Sequence, residues 1–530
     1  MREAERHENL IRAGGRTKLM KSDVVPLITA SEAYPRMEAL AAGAARRIWL
    51  SFRVFDMSTR LRTEEARRVA GGDDWASLLA ARAADGVDVR VQIADFDPLA
   101  APALHEATWA SLSHLNETPG AAGGRIEAIA ARHPARFGAV LAFALAAKTR
   151  PERRALLRRY GARIHDALPR FRDHAKAFAP RVHPATHHQK LAVFDDAAVV
   201  GGLDVDERRW DTPEHDQASQ ETWRDATLQV VGGGAAAAAE RFVEIWNRSV
   251  QNAVGAAACL KRLPNLAQPT PIAPPPATPA DRTFELVATR SVPSSSPFGF
   301  GPRTTTDETF RAVAGAIAGA RRSLYIETQF LRSRAVVDAL CEAARRSPTL
   351  ELIVILPFAP ERFAFAGRRD APMKHAEALQ LDAIRRIRDA FGARATILSP
   401  AKPSRRSADD GFAAYGAGIV YVHSKVLIAD DDVAIVGSAN LNDRSMRWDT
   451  ELSAVWRDRV GVAKFRERLA ESWLGAGFDG DPRSVAAWRQ AAEANAAAPP
   501  DLREGFLLPY ADERAAHFSR RARWLPDALF

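Results

Sequence analysis

The stretch His423–Met446 reads HSKVLIADDDVAIVGSANLNDRSM. It parses as a short strand, an acidic turn, a second strand and a loop of small residues. Side chains alternate along a strand, so His423 and Lys425 at its head share one face while Val426 and Ile428 point the other way, toward packing. The turn Asp430–Asp432 reverses the chain. The loop Gly437-Ser438-Ala439-Asn440 then returns toward the strand's head, its small residues allowing close backbone approach and Asn440 supplying an amide donor. A relative of this stretch, HHQKLAVFDDAAVVGGLD, occupies His187–Asp204. An uncommon local pattern that occurs twice in one chain points to two copies used together.

The flanking sequence repeats as well. SEAYPRMEALAAGAARRIWLSFRVF (Ser31–Phe55) and TDETFRAVAGAIAGARRSLYIETQF (Thr306–Phe330) each give a helical apolar stripe, close on Ala-Arg-Arg and pass into an aromatic-rich strand. GVDVRVQIADFDP (Gly86–Pro98) matches TLELIVILPFAPE (Thr349–Glu361), and a long helical insert then precedes each His-x-Lys strand. Repeats of this length mean duplicated domains rather than a solenoid. Alternating strands and helices, with apolar runs such as VRVQIA and LELIVIL, imply α/β layers with strands covered on both faces. Between the halves lie six prolines from Pro269 to Pro279, a composition that suits an extended linker. The expected division is an N-terminal half to residue 255, a linker over 256–282, a C-terminal half over 283–480 and a C-terminal tail over 481–530, loop-like and aromatic after Pro500.

The 530 residues are 47% hydrophobic, enough for a large core in two domains. A net charge of +9 favours anionic partners such as phospholipid surfaces, nucleic acid or phosphate esters. Two cysteines, Cys259 and Cys341, make neither a disulfide framework nor a metal cluster. The charged N-terminus shows no secretory signal. The apolar run FGAVLAFALAA (Phe137–Ala147) is far short of the ~20 residues that span a bilayer. It reads as a buried or interfacial helix, so membrane contact is expected to be peripheral and the location cytoplasmic or at a membrane surface.

The paired His and Lys suit a phosphate ester. A lysine neutralises a nonbridging oxygen, an asparagine and backbone N–H groups share the load, and an imidazole attacks phosphorus or moves a proton near neutral pH. Two copies facing each other supply an imidazole on each side of the phosphorus. One can form a phosphohistidine while the other protonates the leaving alcohol and then activates the acceptor.

His423-Ser-Lys425-x4-Asp430-x6-Gly437-Ser438-x-Asn440 resembles the HKD signature of the phospholipase D superfamily in full, and His188-Gln-Lys190-x4-Asp195 resembles its core. HPATHHQK, ETWRD (Glu221–Asp225), YIETQF (Tyr325–Phe330) and NLNDRSMRWDTEL also look like segments of two-HKD enzymes, so the resemblance runs from about Ser31 to Leu474. It implies two α/β/α sandwich domains related by pseudo-two-fold symmetry, one active site between them, and no metal or other cofactor. By similarity His188 is the nucleophile and His423 the general acid/base. Lys190, Lys425 and Asn440 bind phosphate, with Gly437 and Ser438 in the same substrate loop. Asp195 and Asp430 complete the catalytic motif and are expected to hold the strand–turn rather than touch substrate. Asp225 and Glu451 stand where family members carry a histidine-orienting acid.

The first copy departs from the signature. Five residues rather than six separate Asp195 from Gly201, and Gly-Gly-Leu-Asp stands where the signature has Gly-Ser-x-Asn. This aligns Asp204 with Asn440 on the substrate side, which is unfavourable beside a phosphate if the carboxylate faces inward. His187 is expected on the opposite side of the strand from His188.

Both copies in one chain, and the TWRD and IETQF segments, favour a monomeric phospholipase D that hydrolyses glycerophospholipid headgroups, with transfer of the phosphatidyl group to an alcohol left open as a second outcome. FAPERFAFAGRR (Phe358–Arg369) and GFLLPY (Gly505–Tyr510) are candidate bilayer contacts, with core packing the plainer reading of each. The rivals are a cardiolipin synthase-type transferase, which in bacteria usually begins with transmembrane helices, a nuclease using the Arg-rich insert Lys148–Phe178, and a non-catalytic scaffold.

Overall fold

The computed structural model describes residues 22–530 except 122–125, 153, 156, 157, 159–182, 254–262, 276–280, 366, 368, 369 and 411. Cys259, most of the Arg-rich insert and parts of the Pro-rich segment lie outside the described residues.

The first half contributes β1 (Asp23–Ile28), β2 (Arg47–Phe52), β3 (Asp88–Asp95), β4 (Ile126–Arg132), β5 (Leu191–Phe194), β6 (Ala197–Gly201), the two-residue β7 (Trp223–Arg224) and β8 (Ala226–Val231). Seven of these form a sheet in the order β1-β8-β6-β5-β2-β3-β4. The second half supplies β9 (Phe284–Val292), β10 (Arg303–Asp307), β11 (Ser323–Glu327), β12 (Glu351–Ile355), β13 (Ala395–Pro400), the hairpin β14 (Ala413–Ala414) and β15 (Ala417–Gly418), and β16 (Tyr421–Val422). It continues with β17 (Val426–Ala429), β18 (Val433–Gly437), β19 (Glu451–Trp456) and β20 (Leu507–Pro509). Their sheet runs β10-β9-β19-β18-β17-β11-β12-β13-β20. Without its edges β10 and β20 this is the first sheet's order, strand for strand. In each, three strands are parallel (β2-β3-β4 and β11-β12-β13) and the HKD hairpin joins them antiparallel.

Parallel strands need helical crossovers, and these cover the outer faces. The helices Thr29–Gly43, Trp75–Ala84 and Pro102–Glu117 pack on one sheet, and Glu308–Gly319, Arg334–Arg346 and Ala371–Phe391 on the other. The inner faces share one core with the helices Gly233–Ala253 and Arg459–Leu474, where Trp49, Phe242, Trp246, Tyr325, Phe465 and Trp473 meet. The fold is thus α/β, built as two layered halves around a common interior.

After Pro500 the tail is less loop-like than expected: β20 adds an edge strand to the second sheet and Asp512–Phe518 is a helix. Ahead of it, Val485–Ala497 is a helix with buried Trp488. GFLLPY follows its plainer reading as core, since Leu507, Leu508 and Tyr510 are buried, and Phe358 and Phe363 likewise pack inside a small cluster. The helix Ala139–Lys148 within FGAVLAFALAA buries none of its residues. The described part of the Pro-rich segment runs beside β4, where Thr270 bonds to Glu127.

The one-residue difference between the copies is a turn residue. Phe194 pairs with Ala197, leaving a two-residue turn, whereas Ala429 pairs with Val433 across three residues. The extra residue, Asp431, has a positive φ of 59° and is held by Arg466 and Arg483.

Candidate active site

The ladders of the two HKD hairpins start at Leu191 and Val426, one residue after each lysine. His and Lys therefore do not sit in the ladder, as the alternation suggested, but on the lead-in just ahead of it. Each lead-in pairs with the other half. The N–H of His188 donates to the carbonyl of Thr450 at 2.9 Å, and that of Thr450 to Thr186 at 3.0 Å. In the second copy β16 runs parallel to β7, and the N–H of His423 donates to the carbonyl of Arg224 at 2.8 Å. The residue after Thr450 is Glu451, and the residue after Arg224 is Asp225. This exchange sets each acid beside the opposite histidine. Nδ1 of His188 lies 3.0 Å from Glu451 Oε2, and Nδ1 of His423 lies 2.6 Å from Asp225 Oδ2. An imidazole whose Nδ1–H is held by a carboxylate keeps Nε2 available as base or nucleophile. The sequence placed both acids near the site but did not say which histidine each would serve.

Both histidines line one cavity of about 470 Å³, together with Asn440, Arg53, Arg209, Gln329 and Arg332. Lys190 and Lys425 are buried beneath it, each Nζ donating to the carbonyl of its own histidine, Lys190 at 2.7 Å. Asn440 is buried with its Oδ1 unbonded.

The remaining sequence candidates do not line the cavity, which corrects the substrate-side roles expected of Ser438, Gly437 and Asp204. Asp195 and Asp430 complete the motif but sit at the far end of the hairpins, away from the cavity. Asp195 accepts the backbone N–H groups of Ala45, Arg46 and Arg47 at 2.7–2.9 Å, and Asp430 those of Arg321, Arg322 and Ser323 at 2.6–2.8 Å. Each pins the start of the neighbouring parallel strand to the HKD turn, as the strand–turn reading anticipated. Ser438 does not line the cavity; its hydroxyl is buried and donates to Glu451. Gly437 does not line it either. A Cβ there would come within 2.5 Å of the Ser453 backbone, so this glycine allows the close approach of β18 and β19.

Asp204 is not a substrate ligand. Its carboxylate is fully buried, accepts the Val54 N–H at 2.9 Å, and lies 3.5 Å from Lys190 and 3.8–3.9 Å from Arg53 and Arg209. Burial alone would raise its pKa, but these three cations hold it below the usual carboxylate value. The feared repulsion with phosphate is thus replaced by a counter-ion under a cationic floor. His187 does not line the cavity and packs its ring against His133, with centroids 5.0 Å apart and planes tilted by 49°.

Arg209 and Arg53 were missed. Arg209 stacks 4.0 Å over Trp223 and places Nη1 3.3 Å from Nε2 of His423. No periodicity marks an arginine in the loop DERRW. Glu327 of the IETQF segment braces the second copy from below, accepting from Trp473 Nε1 at 2.8 Å and from Ser424.

Electrostatics follow from burial. Desolvation, then Lys190 and Arg53, lower the pKa of His188 well below its ordinary value; desolvation, then Lys425 and Arg209, do the same to His423. Burial pushes Lys190 down to about 8 and Lys425 to about 7. Burial also pushes Asp225 up to about 6 and, with Asp449 adding to it, Glu451 up to about 8. The imidazoles are thus held neutral beside Lys190, Lys425, Arg53 and Arg209. A phosphodiester would add negative charge there and favour the charged form of every base around it.

Comparison with known proteins agrees with this geometry. Residues 313–473 match the family model described as cardiolipin synthase, PLD-like domain. The chain is similar to phospholipase D1 of Schizosaccharomyces pombe, 26% identical over 359 residues, covering 52% of this chain and 25% of that protein. It is 30% identical over 227 residues to phospholipase D of Phytophthora infestans, covering 34% of this chain and 12% of that one. The match thus spans a quarter or less of the length of these relatives. Among solved structures, phosphatidylserine synthase of Haemophilus influenzae aligns over 84% of this chain and 86% of its own, with a TM-score of 0.48 and 13% identity. The matched model and these relatives support the phospholipase D superfamily for this chain.

Proposed function

We propose that the protein cleaves the headgroup phosphodiester of glycerophospholipids at a membrane surface, through a phosphohistidine. The observation that carries this reading is the pair of cavity histidines, each oriented by a carboxylate from the opposite half. Nε2 of His188 attacks phosphorus, and the bond from phosphorus to the headgroup oxygen breaks. His423 gives its proton to that oxygen. It then takes a proton from water or an alcohol, whose oxygen displaces the histidine as the P–N bond breaks. Lys190, Lys425 and Asn440 hold the nonbridging oxygens, and Arg209 and Arg53 add positive charge on the first-half side. His423 must be protonated when it acts as acid, although burial and then the cations Lys425 and Arg209 lower its pKa. The bound phosphate offsets those cations, and Asp225 stabilises the imidazolium.

The matched family description favours phosphatidyl transfer as a second outcome of the same intermediate, with an alcohol in place of water. Among the described residues no helix is long and apolar enough to cross a membrane, which is compatible with action from the membrane surface. A headgroup-release assay on mixed liposomes with EDTA, a little ethanol and labelled single-stranded DNA tests the reading. Free headgroup with phosphatidic acid or phosphatidylethanol and intact DNA is the expected result. Cut DNA with untouched lipid would overturn the substrate assignment and leave the histidine chemistry standing.

A further inference from the structure

The helix Ala139–Lys148, AVLAFALAAK, is apolar up to its final lysine, yet its outermost stripe faces solvent. Val140 is 57% exposed and Phe143 78%, with Ala144 and Ala147 on the same side. A helix of a water-facing protein normally turns its apolar stripe inward. Two further large apolar groups flank it. Phe298, 84% exposed, sits on the loop whose backbone receives the helix: Gly138 N–H donates to Gly299 at 3.0 Å and Val140 N–H to Pro297 at 3.2 Å. Gly138 is required there, because a Cβ would meet the Gly299 carbonyl at 2.0 Å. Trp524, 65% exposed, stacks under Lys148, whose Nζ lies 5.4 Å from its ring. A groove of about 560 Å³ separates the helix from residues 293–297.

The charge beside this patch has one sign. Lys148, Arg150, Arg154 and Arg158 are exposed, with Glu152 the one carboxylate among the described residues of that stretch. The patch also adjoins the catalytic cavity. Phe137 packs on Phe300, which packs on Trp448, next to cavity-lining Asp449. The segment after Trp524 ends in Leu529 and Phe530, which line the cavity itself. Exposed aromatics and aliphatics on a helix, rimmed by cations, suit the interface of an anionic bilayer, where rings sit at headgroup depth and basic side chains meet lipid phosphates.

We propose that the helix Ala139–Lys148, Phe298 and Trp524 form a docking surface that inserts into the headgroup layer of an anionic phospholipid bilayer and sets the catalytic cavity against it. The proposal rests on the lipid reading above and names the surface through which that site reaches its substrate.

The test uses the full chain carrying Val140→Ser, Phe143→Ser and Phe298→Ser together. All three side chains are exposed, so the variant keeps its fold and its turnover of soluble bis(4-nitrophenyl) phosphate. Flotation with vesicles of equal parts phosphatidylglycerol and phosphatidylcholine should carry the unsubstituted chain. The variant should bind about tenfold or more weakly, and salt should weaken the binding of both. Equal flotation of the two proteins overturns the proposal, as does no flotation of either. Lipid cleavage with unchanged flotation sinks the docking surface alone, whereas vesicle binding without lipid cleavage sinks the substrate reading alone. A solution mass of two chains that falls to one in the variant would assign the face to a second copy and overturn the membrane assignment.

Discussion

Asp225→Asn separates the two halves of the proposed mechanism. Oδ2 of Asp225 lies 2.6 Å from Nδ1 of His423, and both groups are buried. At an effective dielectric of about 20, unit charges at that separation attract by about 6 kcal/mol. That interaction is at stake only when His423 is an imidazolium, as it must be when it protonates the leaving alcohol. Burial holds the Asp225 pKa near 6, so at pH 7.5 the carboxylate is ionised and its loss is felt. Asparagine keeps shape and one hydrogen bond, which returns part of the energy. It also leaves Arg209, at 3.3 Å from Nε2, free to oppose the proton. The expected loss in kcat on an ordinary phosphodiester is therefore about 10³-fold to 10⁴-fold. With bis(4-nitrophenyl) phosphate the leaving phenolate needs no proton. The variant should then release one equivalent of nitrophenolate per enzyme in a burst and stall, because the phosphohistidine still needs a base to activate water. Stopped-flow absorbance reads this directly. Wild-type turnover on an alkyl diester, or the absence of a burst on the activated one, would refute the assignment of His423 as the acid.

Other outcomes follow from the same geometry. His188→Ala and His423→Ala should each abolish turnover with an unchanged melting temperature, and only His423→Ala should accumulate a phosphoenzyme from the activated diester, read by mass spectrometry. Burial places Lys425 near 7 and Lys190 near 8, so both lose charge as pH rises through that window. Affinity for orthovanadate and kcat/KM should therefore decline above about pH 8, whereas both lysines would stay charged there at the ordinary value of about 10.4. Asp430→Ala should leave kcat per folded molecule intact but cost about 3 kcal/mol in urea unfolding, because three backbone donors lose a charged acceptor.

The repeat was legible because it is written in local pattern. Strand alternation, helix stripes and the doubled His-x-Lys-x4-Asp need only nearby residues, and the two sheets follow the same strand order. The aspartates of the motif were rightly read as turn holders, since a carboxylate beside a tight turn meets backbone donors in any such hairpin. What the sequence could not show depends on contacts between distant segments. Thr186 meets Thr450, and Arg224 meets His423, only because two folded halves exchange edges. Arg209 and Arg53 belong to the site because loops deliver them there. The strand after Pro500 was not legible because β20 has three residues, too short for a period to declare itself. The apolar stretches left core and interface as alternatives for a related reason. GFLLPY and FGAVLAFALAA are equally apolar, and only tertiary packing decides that one is core and the other faces solvent.

The departure of the first copy from the signature makes the two histidines unequal. A second Asn at position 204 would make the halves near-equivalent, with either imidazole able to attack. Asp204 instead lies beneath Lys190, Arg53 and Arg209 and fixes a cationic floor on the first-half side. Arg209, anchored by that floor and by Trp223, then leans on His423 and not on His188. The paired acids differ as well: burial pushes Asp225 up to about 6 and, with Asp449 adding to it, Glu451 up to about 8. His423 thus has the more readily ionised partner, suited to holding a proton, with a guanidinium to drive that proton off again, which are the two properties a shuttle needs. His188, buried and close to Lys190 and Arg53, has its pKa held low and is suited to attack. The polarity of the site follows from a carboxylate that never meets the substrate. Asp204→Asn should accordingly narrow the difference between the two histidines, detectable as a phosphoenzyme shared between His188 and His423 in peptide mapping of the trapped intermediate. Label confined to His188 in that variant would show that the asymmetry has another source.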